Sequence, residues 1–338
     1  MEDSSQLPDL VRALLNPALY PDKPDHIQLM QTQMSFVFLA GEYVYKVKKP
    51  VNLGYLDYTT LEKRRFFCQR EVDLNRRLCP DTYLGVFPIT KSAQHVTLGG
   101  TGETIDYVVK MRYLPQDRMM NVLLQKDGVT NEMVGRVAIR LVDFHNRAET
   151  NTSIGAFGEI RSISVNTEEN FNQTKKSIGR TISRAKYERI RAYTRRFLQD
   201  NPSLFASRIT RGRIRDLHGD LHAAHICFVD GICIYDCIEF NDRFRYGDVA
   251  SEVAFLAMDL DHYGRADLSQ HFVQSYVNSS SDQDLLKMLA FYKCYRAYVR
   301  GKVESFKLDD PYIAKREKAK VQRVAREYFD LAESYTGQ

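Results

Sequence analysis

The stretch DLHGDLHAAHICF, residues 216–228, puts three histidines and two aspartates into thirteen positions. On a continuous helix His218, His222 and His225 would stand at i, i+4 and i+7, aligning three imidazoles as a zinc site requires. Gly219 is a poor helix residue, however, and the stretch runs into HICFVDGICIYD, whose β-branched and aromatic residues flank an Asp230-Gly231 turn. A loop followed by a β-hairpin is the expectation, and on a loop the histidine stripe does not form. A second reading, residues that are merely packed or solvated, requires many partners for so many polar groups if they are buried. The third is phosphoryl transfer. It needs an aspartate to accept a hydroxyl proton, a metal-binding side chain about five residues on, and a metal-binding aspartate beyond a short hairpin. Asp220, position 225 and Asp236 follow in that order.

The elements that must position these residues are legible along the chain. Residues 6–16 read as a short helix ending before Pro17, followed by three strand-like runs, HIQLMQTQ, SFVFLA and YVYKVKK, the last two joined at Gly41-Glu42. A helix over 59–78 opens at Thr59 or Thr60 and stops at Pro80. YLGVFPIT and IDYVVKMRY complete a five-stranded pattern, and after Leu114-Pro115 the chain turns helical, apart from the loop and hairpin. The polar stretch EENFNQTKKS, 168–177, reads as a loop or insertion. RTISRAKYERIRAYTRRF, 180–197, reads as an amphipathic helix with a basic solvated face.

The 338 residues suffice for one large domain or two lobes. A hydrophobic content of 43%, 27% charged residues and a net charge of +5 are ordinary for a soluble protein and too mild to imply nucleic-acid binding. No apolar run reaches the length of a membrane span, and MEDSSQLPDL has neither the basic start nor the apolar core of a signal peptide. A cytoplasmic enzyme is expected, with all six cysteines (68, 79, 227, 233, 237, 294) as reduced thiols.

With HGDLH as the catalytic loop, the chain resembles the aminoglycoside phosphotransferase and choline kinase-like superfamily over most of its length. YVYKVKKPVNLGYLDYTTLEKRRFFCQREVDLNRRL and DCIEFNDRFRYGDVASEVAFLAMDLD resemble a bacterial branch of that superfamily in which a P-loop ATPase domain often follows. No G-x-x-x-x-G-K-[ST] occurs here, so that domain is expected to be missing. The resemblance implies an α+β, bilobal, protein-kinase-like fold: a five-stranded antiparallel nucleotide-binding lobe over 1–113, and a mainly helical catalytic and substrate lobe over 114–338.

The same resemblance implies roles. Lys46 would reach the α/β-phosphates of ATP, with Lys48, two residues on and sharing its face, as the other candidate. Glu71, with Glu62 as the weaker alternative, would pair with that lysine. Met111 and Tyr113 lie in the hinge that meets the adenine. Asp220 is the base and Asp236 a metal ligand for Mg²⁺, whose preference is for hard oxygen. Glu239 would bind metal or substrate, or form a salt bridge with an arginine of NDRFR. Asp248 would cap the helix DVASEVAFLAMDL, His218 would be structural and His222 would pack behind it. Two positions depart from the pattern: the turn between the first two strands, TQMS, lacks glycine, and His225 stands where a metal-binding asparagine is usual. Imidazole favours softer ions, which brings in Mn²⁺ beside Mg²⁺.

The reading is an ATP-dependent phosphotransferase acting on a hydroxyl of a small molecule, with neither membrane nor nucleic acid as partner. A pseudokinase or nucleotide-dependent regulatory module, and a zinc-dependent hydrolase, are the alternatives. RFRY beside Asp236 disfavours polycationic aminoglycosides as acceptors and leaves an anionic or neutral sugar-like molecule or an amino alcohol.

Overall fold

Strand-forming residues come in six runs, not the expected five: β1 (Ile27–Gln31), β2 (Ser35–Ala40), β3 (Tyr43–Lys48), β4 (Tyr83–Ser92), β5 (His95–Leu98) and β6 (Glu103–Arg112). They form one antiparallel sheet in the order β1-β2-β3-β6-β4-β5. The extra strand is β5, only four residues long, which pairs with the far end of β4 from Ile89↔Leu98 to Ser92↔His95. Its alternation is too brief to stand out from a turn. The structure, a computed structural model, describes residues 7–92, 95–310 and 314–337. MEDSSQ, the start of the segment read as lacking a signal peptide, lies outside the described residues.

The period of two along the strands sorts the sheet's faces. Phe38, Tyr45, Val47, Ile89 and Val108 bury one face, with Val11 and Leu14 from and beside a short helix, α1 (Asp9–Ala13). Val109, Met111 and Tyr83 bury the other against Cys68 and Val72 of α2 (Leu61–Arg76), and Val44 packs there too. Lys46 and Lys48 share Val44's parity and therefore face α2. That helix starts at Thr60, whose hydroxyl accepts from Lys63 N at 3.2 Å.

The chain divides into two compact units. The first runs to Met119 and also takes in His225–Asp242; the second is Met120–Ala224 with Arg243–Gln338. The expected hairpin lies in the first unit as β8 (Ile226–Cys227) and β9 (Cys233–Ile234), with Gly231 at φ +105° in its turn. Here the expectation of six reduced thiols fails. Cys79, just past α2, forms a disulfide with Cys233 of β9 across 154 residues of sequence. No local spacing announces so distant a pair. Cys68, Cys227, Cys237 and Cys294 are buried and outside any disulfide.

In the second unit β7 (Ile214–Asp216) pairs with β10 (Tyr246–Asp248). The rest is helical: α3 (Met120–Leu124), α4 (Asn131–Arg147), α5 (Thr152–Gly155), α6 (Ile160–Thr174), α7 (Arg184–Asp200), α8 (Pro202–Thr210), the short α9 (Asp242–Arg245) that begins at the unit boundary, α10 (Val249–His262), α11 (Ala266–Ser280), α12 (Leu285–Lys307) and α13 (Lys315–Ser334). Every residue of α10 from Val249 to Leu260 is buried. The polar stretch 168–177 is not a loop. It continues α6 to Thr174, because Thr167, Asn170, Phe171 and Thr174 recur at helical spacing on the buried side, where a mostly polar set hides the stripe. The basic helix α7 buries Tyr187 and Ile190 and pairs its charges: Arg191 and Arg195 with Glu168, and Lys186 and Arg189 with Glu333. No described helix is long and apolar enough to cross a membrane.

Candidate active site

Two lysines and three carboxylates interlock in the sheet unit. Lys46 Nζ lies 2.9 Å from Glu71 Oε1 and 3.0 Å from Asp236 Oδ1. Lys48 Nζ donates to Glu71 Oε2 at 2.6 Å and to Glu239 Oε1 at 2.5 Å, and that same Glu239 oxygen accepts from Tyr58 OH at 2.7 Å. Glu71 therefore bridges both lysines, while Glu62 sits exposed in the first turn of α2. Burial works against both ammonium charges, yet the carboxylates outweigh it: Asp236 and Glu71 for Lys46, Glu239 and Glu71 for Lys48, so both pKa values rise well above the ordinary lysine value. Burial likewise opposes the Glu71 carboxylate, and the two lysines hold its pKa below the usual value.

The two lysines differ in access. The Lys48 side chain is 1% exposed, that of Lys46 17%, and that of Asp236 43%. Asp236 follows β9 with φ +62°, its N–H 3.3 Å from Tyr83 OH, while the next amide, Cys237 N, donates to Asn75 Oδ1 at 2.9 Å. This left-handed turn, unusual for a non-glycine residue, presents the carboxylate outward. His225 Nε2 lies 3.6 Å from Asp236 Oδ2. Asp236 thus offers the hard, accessible oxygen that Mg²⁺ accepts, whereas Glu239 is taken up by Lys48 and Tyr58. At the end of β6, Met111 pairs with both Val44 and Tyr83. Tyr113, half-exposed, donates its N–H to Glu42 O at 2.8 Å.

Asp220 belongs to the helical unit, on a loop held by groups that the sequence reading did not single out. Glu252, fully buried on α10, accepts from His218 N at 2.9 Å and Gly219 N at 2.7 Å through Oε1. Its Oε2 lies 2.8 Å from His145 Nε2, and His145 Nδ1 lies 2.7 Å from Tyr276 OH. Burial would raise the Glu252 pKa, but the His145 hydrogen bond and the loop amides hold it below the usual value. Asp259, two turns further along α10, accepts from Ala223 N at 2.9 Å. Within the loop, His218 Nδ1 accepts from Asp220 N at 3.3 Å, and His222 packs against Phe255 with its Nε2 3.6 Å from Asp220 Oδ2. Asp248 caps α10 through Ala250 N and is gripped by Arg208 at 2.9 and 2.6 Å. Residues 217–222 are not helical, so no three-histidine stripe exists.

No family model matches the chain. Among curated proteins, uncharacterised proteins of Mycobacterium tuberculosis and Mycobacterium bovis are 36% identical over 284 residues, 84% of this chain. The chain spans only 55% of the length of those relatives. A choline/ethanolamine kinase family protein from Mesorhizobium loti matches in structure with a TM-score of 0.51 at 12% identity, over 96% of this chain and 99% of that one. Aminoglycoside 2'-phosphotransferase-IIIa in its GDP complex gives 0.52 at 12% identity, over 96% and 99%. An amicoumacin kinase in complex with AMP-PNP and Ca²⁺ gives 0.53 at 13% identity, over 95% and 92%. The chain has the fold of the aminoglycoside phosphotransferases and choline/ethanolamine kinases.

Sequence reasoning missed Glu252, His145 and Asp259. The available signal was a glutamate and an aspartate seven residues apart inside the apolar run DVASEVAFLAMDL, where a buried carboxylate needs a partner. Tyr58 carried no signal at all.

Proposed function

We propose that the chain is an ATP-dependent phosphotransferase that moves the γ-phosphoryl group to a hydroxyl of a small molecule, with residues 1–113 binding nucleotide and 114–338 carrying catalysis and the acceptor. The observation that carries this reading is the pairing of Lys46 with Glu71 and Asp236. A half-exposed carboxylate beside a mostly buried lysine supplies the cation ligand and the charge that phosphates and their bridging cation require. In this reading Asp220 takes the proton of the attacking hydroxyl, and the Glu252 anchor keeps its loop in register while it does so. Lys46 leaves Asp236 for the nucleotide phosphates and stays oriented by Glu71. Lys48 is the buried counter-ion that keeps Glu71 and Glu239 in place. Backbone groups of Met111–Leu114 meet the adenine, although the Tyr113 N–H is already engaged by Glu42. Asp236, with His225 beside it, would hold Mg²⁺ or Mn²⁺, which neutralises charge on the phosphates when bound.

Release of ADP from Mg·ATP over a panel of hydroxyl metabolites tests the reading. Asp220→Asn is expected to keep its melting temperature and nucleotide binding and to lose about 100-fold or more in turnover. Equal turnover in the variant would remove Asp220 from the chemistry.

A further inference from the structure

Two guanidinium groups four residues apart on α12 attend the Asp220 loop within the helical unit. Arg296 is fixed: Nη1 donates to Gly219 O at 3.2 Å, Nε to Ser251 Oγ at 3.1 Å, and its plane lies over Phe255 at 4.7 Å. Arg300, one turn on, is different. It lies over the Tyr328 ring at 5.4 Å, and its buried Nε has no hydrogen-bond partner among the described residues. Among the described residues it makes no ion pair. The nearby Asp259 is already engaged, accepting from Ala223 N at 2.9 Å and from Tyr328 OH at 3.2 Å. Burial opposes the Arg300 charge, but Tyr328, Asp259 and Asp220 hold its pKa above the ordinary arginine value, so it remains a cation.

A cation with one buried, unmet donor carries a cost, and an oxyanion brought in by a ligand relieves it. The planar guanidinium fork matches carboxylate and phosphate oxygens. The arginines of RFRY do not serve this purpose. Arg245 is buried against Asp216 at 2.6 Å, and Arg243 is paired with Asn166 and Glu169. Of these arginines, Arg296 and Arg300 of α12 are the ones that attend the Asp220 loop.

We infer that the acceptor carries an anionic group, a phosphate or a carboxylate, received by Arg300 with Arg296 beside it while its hydroxyl meets Asp220. This rests on the phosphotransferase reading. The test uses protein saturated with Mg·AMP-PNP, so that the nucleotide's own phosphates occupy their site, titrated calorimetrically with inorganic phosphate, with acetate and with tetramethylammonium. Saturable binding of phosphate or acetate and none of tetramethylammonium is expected, and whichever anion binds more tightly names the acceptor's group. Arg300→Gln should weaken that binding about 10-fold, and Arg300→Lys should restore part of it, with both variants melting cooperatively. Binding of tetramethylammonium in preference to both anions, absence of saturable anion binding, or equal anion affinity in Arg300→Gln would each overturn the inference. If AMP-PNP itself fails to bind, the phosphotransferase reading falls, and the inference with it. Nucleotide binding without anion binding removes the anionic acceptor alone.

Discussion

In the sheet unit, five charged side chains hold one another: Lys46 and Lys48 share Glu71, and each reaches one further carboxylate, Asp236 or Glu239. In the helical unit the loop around Asp220 is held by its backbone, through amides of His218, Gly219 and Ala223 donating to Glu252 and Asp259. The first arrangement is adaptable, because a lysine can exchange a carboxylate for a phosphate at little geometric cost. The second is rigid, because a buried carboxylate that fills two adjacent amides permits one loop conformation. On the proposed reading nucleotides come and go whereas the base must stay aimed, and the two regions would suit those tasks.

Removing the rigid anchor is expected to cost most. Glu252→Ala orphans two buried amides, roughly 2–6 kcal/mol of stability at ~1–3 each, readable by denaturant unfolding. The gentler Glu252→Gln exposes the charge itself. Because the folded pKa lies below the free value of 4.5, the carboxylate's contribution is complete above that value and is lost as pH falls through the lower folded one. The wild type should therefore lose stability in acid more steeply than Glu252→Gln. Parallel acid profiles would mean that the carboxylate charge is not what holds the loop.

Within the adaptable cluster, the two lysines should separate. Lys48→Met breaks a buried network and is expected to lower stability by about 3–5 kcal/mol. Lys46→Ala should leave the melting temperature nearly unchanged and damage ATP use far more. The reverse pattern would exchange their roles. Asp236→Asn comes next: about a 10-fold loss of Mg·ATP affinity by titration, with Mg-free nucleotide binding little changed. Unchanged Mg·ATP affinity together with normal turnover would remove Asp236 as the metal ligand.

The smallest effect is expected at His225. If its ring ligates the ion beside Asp236, His225→Asn lowers the ratio of Mn²⁺- to Mg²⁺-supported turnover, because an amide oxygen suits Mg²⁺ better than an imidazole nitrogen does. A ratio that does not move makes His225 a packing residue against Tyr235, whose ring lies 5.7 Å away.

How much could be read in advance followed the strength of local signals. The hairpin at Asp230-Gly231, the Thr60 cap and the Asp248 cap are short-range rules, and the structure has each of them. The strand β5 and the polar continuation of α6 were missed because one is too short for its alternation to register and the other buries Thr167, Asn170 and Thr174 where apolar residues are looked for. The Cys79–Cys233 bond, with partners 154 residues apart, has no local signature of any kind.

By itself the sequence determined most of the element types, the parity that turns Lys46 and Lys48 to the same side of β3, and the order of Asp220, His225 and Asp236 along the loop and hairpin. These follow from periods of two and 3.6 residues and from turn chemistry, which act over a few neighbours. Only the tertiary structure decided that Glu71 serves both lysines, that Glu239 is taken up by Lys48 and Tyr58, and that Glu252 clamps the loop while Arg300 makes no ion pair among the described residues. Those outcomes depend on which carboxylate reaches which donor after burial, a competition among groups far apart in the chain that is settled by desolvation and distance, not by spacing.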